Sequence, residues 1–224
     1  MNVYSSIPKW VDTFINFLKS DLCPTTEFPI VVGGQELFGL NGFIFYNTEQ
    51  LSRKTSLQFI VDCIASNHLC KEIWDYSKAN VDILNSLNLP IKCLHVTPKL
   101  PESYLNIFRE YRRSGQEYDI GFCGAESTRR YSILNSLSDL GYKVLILRGV
   151  YGDERDKMMS KCKIILNIHY ADDYNIFEVE RCEPFLATGV TVISETSLDD
   201  DPRCINVSYD NIISKTVEVL KNYS

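Results

Sequence analysis

Along the second half of the chain the apolar positions switch repeatedly between two spacings. YDIGFC is a short apolar run ending at Gly124, and the STRRYSILNSLSDLGY that follows sets Ile133, Leu134, Leu137 and Leu140 at helical spacing. Ser127 or Thr128 suits the N-cap of that helix, and Gly141 suits its stop. KVLIL, KIILNIHY, VTVISE and a weaker CINVSYD are predicted strands. Between and after them, ERDKMMSKC, EVERCEPFLATG (closed by Gly189) and NIISKTVEVLKNY are predicted helices.

The first half follows the same plan less sharply. FPIVVGG, GFIFYN, EIWDY and IKCLHV are strand candidates; WVDTFINFLKS, SLQFIVDCIAS and KANVDILNSLN are helix candidates. Strands nearly continuous in Val, Ile and Leu, alternating with helices over short connections, predict an α/β protein whose parallel sheets are covered by helices. In such sheets ligands bind beyond the carboxyl ends of the strands. Cys123-Gly124-Ala125, Arg148-Gly149, His169-Tyr170 and Ser194-Glu195 are therefore expected on one rim.

A length of 224 residues exceeds one average domain of roughly 100 to 150, which favours two domains. The prolines of TPKLPESYLNIFREYRRSGQE mark the joint, giving an expected N-terminal domain over 1–112 and a C-terminal domain over 113–224.

Charge narrows the function classes. Residues 1–115 carry 11 basic and 11 acidic side chains and residues 116–224 carry 12 and 18, so no broad basic footprint for nucleic acid exists and an anionic ligand requires a local pocket. The N-terminus lacks a basic segment leading into an apolar one, and no run approaches the ~20 apolar residues of a membrane span. A soluble, cytoplasmic protein is expected. The eight cysteines contain no CxxC pair and several lie in apolar runs, which suits reduced core thiols rather than disulfides or a zinc site.

Candidate chemistry concentrates at strand ends. FCGAESTRR sets a glycine after a strand and Arg129 and Arg130 in the first turns of a helix, where free N–H groups and guanidiniums suit a diphosphate. Arginines on an exposed helix face are equally able to be solvated or paired, here with Glu126. His169 ends an apolar strand as either a hydrogen-bonded structural residue or a ligand contact. Glu178 and Arg181 stand three apart on one helix face and can act together on hydroxyls and a phosphate; the helix dipole accounts for acids there but not for an arginine in the first turn.

In the first half, Asn47, Glu49 and Gln50 follow GFIFY, and Asp75, Tyr76 and Ser77 follow EIW; such clusters either cap a helix or face a cleft. The acidic Asp199-Asp200-Asp201 run suggests a metal, but adjacent side chains in an extended loop diverge, so a solvated loop is expected. There is no GxGxxG, P-loop, HExxH or GxSxG pattern.

The order YNTEQL, IWDYSKANVDIL, IGFCGAESTRRYSILNSL, KIILNIHY and FEVERCEPFLATGVTVISE resembles GT-B-type glycosyltransferases, in particular a compact group found in bacterial and large-DNA-virus glycan loci, over roughly residues 28–200. The resemblance implies two Rossmann-like domains facing across a cleft, with a nucleotide-sugar donor held mainly by the C-terminal one. Gly124, Arg129 and Arg130 would lie by the diphosphate, and His169, Phe177, Glu178 and Arg181 would surround the nucleotide and sugar.

Retaining members commonly show two glutamates eight positions apart, the second five before the helix-ending glycine; here Pro184 stands five before Gly189, and Arg181 stands eight before it. The expectation is therefore an inverting transfer from a UDP-sugar, with UDP-rhamnose as one candidate, to a saccharide acceptor. It needs no cofactor and no metal, and Glu49 or Asp75 is the catalytic base. The alternatives are a non-catalytic sugar-nucleotide or glycan-binding module, and a metal-dependent GT-A-type transferase using the acidic run.

Overall fold

The computed structural model describes residues 2–5, 12–33, 41–65 and 69–223. Trp10 and Val11 of the first predicted helix, and Gly34 with the residues up to 40 that follow FPIVVG, lie outside them. The chain divides into two compact units, Met1–Pro101 and Glu102–Ser224.

Unit 1 runs β1 (Val3–Ser5), α1 (Asp12–Leu18), β2 (Ile30–Val32), β3 (Phe43–Asn47), α2 (Lys54–Ala65), β4 (Cys70–Asp75), α3 (Lys78–Ser86) and β5 (Lys92–His95). Its five strands stand in the order β1-β2-β3-β4-β5, all parallel. All five residues of β3 are buried, as a continuous apolar run requires when a strand is covered on both faces. One core gathers Val31, Phe43, Phe45 and Ile73 from the strands with Ile60 and Leu84 from α2 and α3. The Ser77 side chain caps α3 by accepting from Asn80 N at 3.1 Å.

Unit 2 runs α4 (Glu102–Arg113), β6 (Tyr118–Cys123), α5 (Thr128–Asp139), β7 (Val144–Leu147), α6 (Gly152–Met159), β8 (Cys162–Asn167), α7 (Val179–Leu186), β9 (Thr191–Glu195), β10 (Ile205–Val207) and α8 (Ile212–Lys221). Its sheet, also wholly parallel, has the order β7-β6-β8-β9-β10. The chain starts in β6, steps outward to β7, then crosses back to β8 on the other side, so the direction of winding reverses between β6 and β8. At such a switch point the loops leaving the strands diverge and open a crevice. Gly121 permits the tight β6–β8 packing: a Cβ there would lie 2.7 Å from Cys162 Sγ and 2.9 Å from Ile165 Cδ1. Of the two N-cap candidates for α5, Ser127 is used, accepting from Arg130 N at 3.2 Å. Gly141 and Gly189, at φ +91° and +75°, close α5 and α7 in the left-handed conformation that helix ends favour.

Two elements differ from the sequence reading. The strand β1 went unrecognised, and the proline-punctuated segment taken as a joint contains α4. Pro101 stands just ahead of α4, where proline is tolerated, and Leu105 and Phe108 are buried. Phe108 packs edge-on against Phe185 of α7 at 5.4 Å, and Arg112 Nη1 donates to Cys162 O at 2.8 Å. These contacts join α4 to unit 2, so the division falls at Pro101 rather than after Arg112. No helix of the described residues is long and apolar enough to cross a membrane.

Candidate anion site at the strand ends of unit 2

At the β6/β8 switch point two guanidiniums converge. Arg130 is 3% exposed; its Nε donates to Ile168 O at 2.8 Å, its Nη1 to Ala125 O at 3.0 Å and its Nη2 to Glu178 Oε1 at 3.1 Å. Arg181, in the first turn of α7, donates through Nη1 to Asn167 Oδ1 at 2.8 Å and pairs with the other oxygen of Glu178. Asn167 ends β8 fully buried and is itself oriented by its Nδ2 donating to Ser194 Oγ at 3.0 Å.

Both guanidiniums lie near the Phe122 ring, at 5.3 Å for Arg130 and 5.4 Å for Arg181. Both also border Gly124, where a Cβ would stand 2.8 Å from Arg181 Nη2 and 3.3 Å from Arg130 Nη1. A side chain there would have to push the guanidinium ends aside.

Burial, and secondarily the neighbouring Arg181, pulls the pKa of Arg130 down to about 10, with Glu178 opposing. Two cations share one carboxylate here, an excess of one positive charge in a poorly solvated place. That is the electrostatic condition of an anion site.

Arg129, adjacent in sequence, is employed elsewhere. It grips Glu195 through both terminal nitrogens, donates Nε to Asp172 at 3.0 Å, and stacks on Tyr209 at 3.8 Å. Burial would lower its pKa, but the Glu195 and Asp172 carboxylates outweigh that and raise it. Glu195 also accepts from His169 N at 3.0 Å.

His169 is 3% exposed, with Nε2 3.1 Å from Thr196 O and 3.3 Å from Ser197 Oγ; Nδ1 is buried with no hydrogen-bond partner among the described residues. Phe177 is 3% exposed and its N–H donates to Asp199 Oδ1 at 2.9 Å. Its ring is part of the interior and anchors the loop before α7. Of the residues that the resemblance groups, Gly124, Arg130, Glu178 and Arg181 stand together. His169 and Phe177 hold the surrounding loops, and Arg129 holds β9.

Asn167 was missed by sequence reasoning, as was a buried cluster joining α4 to α6. Arg155 and Asp156 are 6% and 2% exposed, Arg155 Nε donates to Asp156 Oδ1 at 2.8 Å, and Tyr104 OH donates to Asp156 Oδ2. Burial and the Asp156 charge push the Tyr104 phenol above its ordinary range. The signal for Asn167 was available: a lone amide ending the apolar run IILN.

The acidic run of unit 2 is dispersed. Asp199 holds Phe177 N, Asp200 accepts from Ser197 N at 2.6 Å, and Asp201 pairs with Arg203. Among the described residues no group of three or more His, Cys, Asp or Glu side chains is placed to hold a metal ion.

The strand ends of unit 1 form a different kind of cluster. Asp75 is fully buried; it accepts from Asn47 Nδ2 at 2.6 Å, Ser77 N at 2.8 Å and Asn80 Nδ2 at 3.1 Å. Asn47 and Asn80 in turn grip the backbone of Glu49: Asn47 Oδ1 accepts from Glu49 N at 3.0 Å, while Asn80 Nδ2 donates to Glu49 O at 2.9 Å. Asp75 is thus the buried centre of a network that pins the loop after β3. Glu49 is only half-buried, and the contact at its carboxylate is Ser56 Oγ at 3.4 Å, a long one. Asn80 was not singled out in the sequence.

No known protein-family pattern matches the chain. Proteins of Acanthamoeba polyphaga mimivirus are similar to it. Uncharacterized protein L140 is 32% identical over 188 residues, 80% of this chain and 59% of that protein. Uncharacterized protein L138 is 32% identical over 183 residues, 78% of this chain and 20% of the relative. Uncharacterized protein L137 is 34% identical over 161 residues, 68% of this chain and 21% of the relative. The chain therefore spans about three-fifths of L140 and about one-fifth of L138 and L137.

Proposed function

We propose that this chain acts in glycosyl transfer, with unit 2 holding a nucleoside-diphosphate sugar and unit 1 serving the saccharide acceptor. The observation that carries the proposal is the convergence of Arg130 and Arg181 on Gly124 at the β6/β8 switch point. Guanidiniums present paired N–H donors matched to phosphate oxygens, and a switch point is where open parallel sheets take nucleotides. The resemblance of the quoted segments to GT-B-type enzymes supports the same reading.

In this reading Arg181 and Arg130 bind the diphosphate and stabilise its charge as the glycosidic bond to it breaks. Glu49 takes the proton of the acceptor hydroxyl in an inverting displacement, since its carboxylate is less enclosed than that of Asp75. The donor is a UDP-sugar, with UDP-rhamnose the first to try, and turnover is independent of added metal.

The test is thermal melting of the protein with UDP, other nucleoside diphosphates and their sugars, followed by assay of UDP release with saccharide acceptors in the presence and absence of EDTA. A ligand that binds only the native state raises the melting temperature, the more so the further its concentration exceeds its Kd. Absence of any shift with millimolar nucleoside diphosphates sinks the proposal. A shift without release, with every donor and acceptor, leaves a binding module, and release only with a divalent cation leaves a metal-dependent enzyme.

A further inference from the structure

The carboxylate shared by the two switch-point arginines has a second consequence. Glu178 precedes the first residue of α7 with φ −87° and ψ 75° and makes no capping hydrogen bond. Its two oxygens are instead divided between Arg130 and Arg181. The side chains of Arg130, Glu178 and Arg181 are 3%, 14% and 12% exposed, so water screens them poorly. Without the carboxylate, two like charges bordering the same glycine would face each other almost unshielded.

We propose that Glu178 is the built-in occupant of the anion site: it bridges Arg130 and Arg181 when no phosphate is bound and is displaced by a ligand carrying at least two negative charges. This rests on the reading that the rim takes a phosphate, and it specifies the class of ligand. A single carboxylate would replace like with like and gain nothing, whereas a diphosphate brings more charge and more acceptor oxygens than it removes. The exchange sets a threshold: monoanions are excluded, and affinity for the diphosphate is lowered by the work of moving Glu178 aside.

Inorganic pyrophosphate is the probe, because it has neither ribose nor sugar and reports on the arginines alone. Its binding is measured by titration calorimetry at fixed ionic strength with the parent protein, Glu178→Gln and Glu178→Asp, with UDP in parallel. Glu178→Gln is expected to bind pyrophosphate about tenfold tighter than the parent, a change of ~1.4 kcal/mol. Glu178→Asp keeps the charge but is one methylene shorter, too short to bridge both arginines, and should fall between the two.

Unchanged or weaker pyrophosphate binding in both variants overturns the proposal; if the parent still binds UDP, the reading of the rim survives alone. Tighter pyrophosphate binding in a protein that takes no UDP or UDP-sugar supports the occupant and removes the nucleotide reading instead. Should Glu178→Gln melt too low for calorimetry, Glu178→Asp decides. Pyrophosphate should then raise its melting temperature more than it raises that of the parent, and an equal or smaller rise counts against the proposal.

Discussion

Arg129 is bound through both terminal nitrogens to Glu195, at the end of β9, while its neighbour Arg130 turns to Glu178. Glu195 is 6% exposed and also holds His169 N, so the pair ties α5 to the end of β9 and to the loop after β8. Removing one partner of a buried ion pair strands the other, which costs ~3 to 5 kcal/mol when both are fully enclosed. The Arg129 side chain is 19% exposed, so Arg129→Ala should cost somewhat less, about 2 to 3 kcal/mol. Urea unfolding checks this, and UDP affinity of the folded variant should stay near that of the parent. A stable variant with much weaker UDP binding would place Arg129 at the ligand after all.

Arg181→Ala should behave in the opposite way. Hydrogen bonds to charged groups contribute about 1.5 to 3 kcal/mol, so UDP affinity should fall by that amount. Lysine is not expected to restore it, because one ammonium cannot hold Asn167 and a phosphate together in fixed directions as the planar guanidinium does. Calorimetric titration of Arg181→Ala and Arg181→Lys with UDP tests both statements, and full binding by the lysine variant contradicts the second.

Gly124→Ala probes the same place from the backbone. The added methyl would stand 2.8 Å from Arg181 Nη2 and 3.2 Å from Phe122 Cζ, and φ is +156°. The far end of Arg181 can shift, so the stability loss should be modest, roughly 1 kcal/mol. The shifted guanidinium no longer aligns with a phosphate, and UDP affinity should drop about tenfold, or ~1.4 kcal/mol. Parental affinity in a folded Gly124→Ala protein would show that the arginine position is immaterial to binding.

The two carboxylates of unit 1 should separate cleanly. Asp75→Asn puts an amide group where Asn47, Ser77 N and Asn80 donate, leaving buried donors unsatisfied, and should lower stability by about 2 to 3 kcal/mol. Glu49→Gln should leave the melting temperature nearly unchanged while lowering turnover on the order of 10²- to 10⁴-fold, the loss expected for a general base, with UDP affinity intact. Turnover within a few-fold of the parent in Glu49→Gln would move the base elsewhere.

Tyr104→Phe removes the hydroxyl that donates to the buried Asp156. A hydrogen bond to a charged, enclosed acceptor predicts a loss of about 1.5 to 3 kcal/mol in urea unfolding. UDP affinity should not change, since Tyr104 acts between α4 and α6.

What the sequence determined is local. The periods of apolar residues located the strands and helices of both units except β1 and α4, because burial of one face imposes a two- or 3.6-residue repeat on neighbours in the chain. Continuous Val, Ile and Leu runs gave parallel sheets, and parallel sheets gave a rim that includes Gly124; the grouping of Gly124 with Arg130, Glu178 and Arg181, which lie together in the fold, came with the resemblance. Tertiary structure alone decided the rest. The reversal between β6 and β8 is a matter of strand order, which local periodicity does not encode. Arg129 and Arg130 look alike in the chain, yet one turns to Asp172 and Glu195, 43 and 66 residues downstream, and the other to Glu178 and the strand-end carbonyls. Asp75 and Glu49 likewise read as equals until Asn47 and Asn80 enclose the first and leave the carboxylate of the second half-exposed. A side chain's chemistry is set by the charge and solvent around it, and those are supplied by residues far away in sequence.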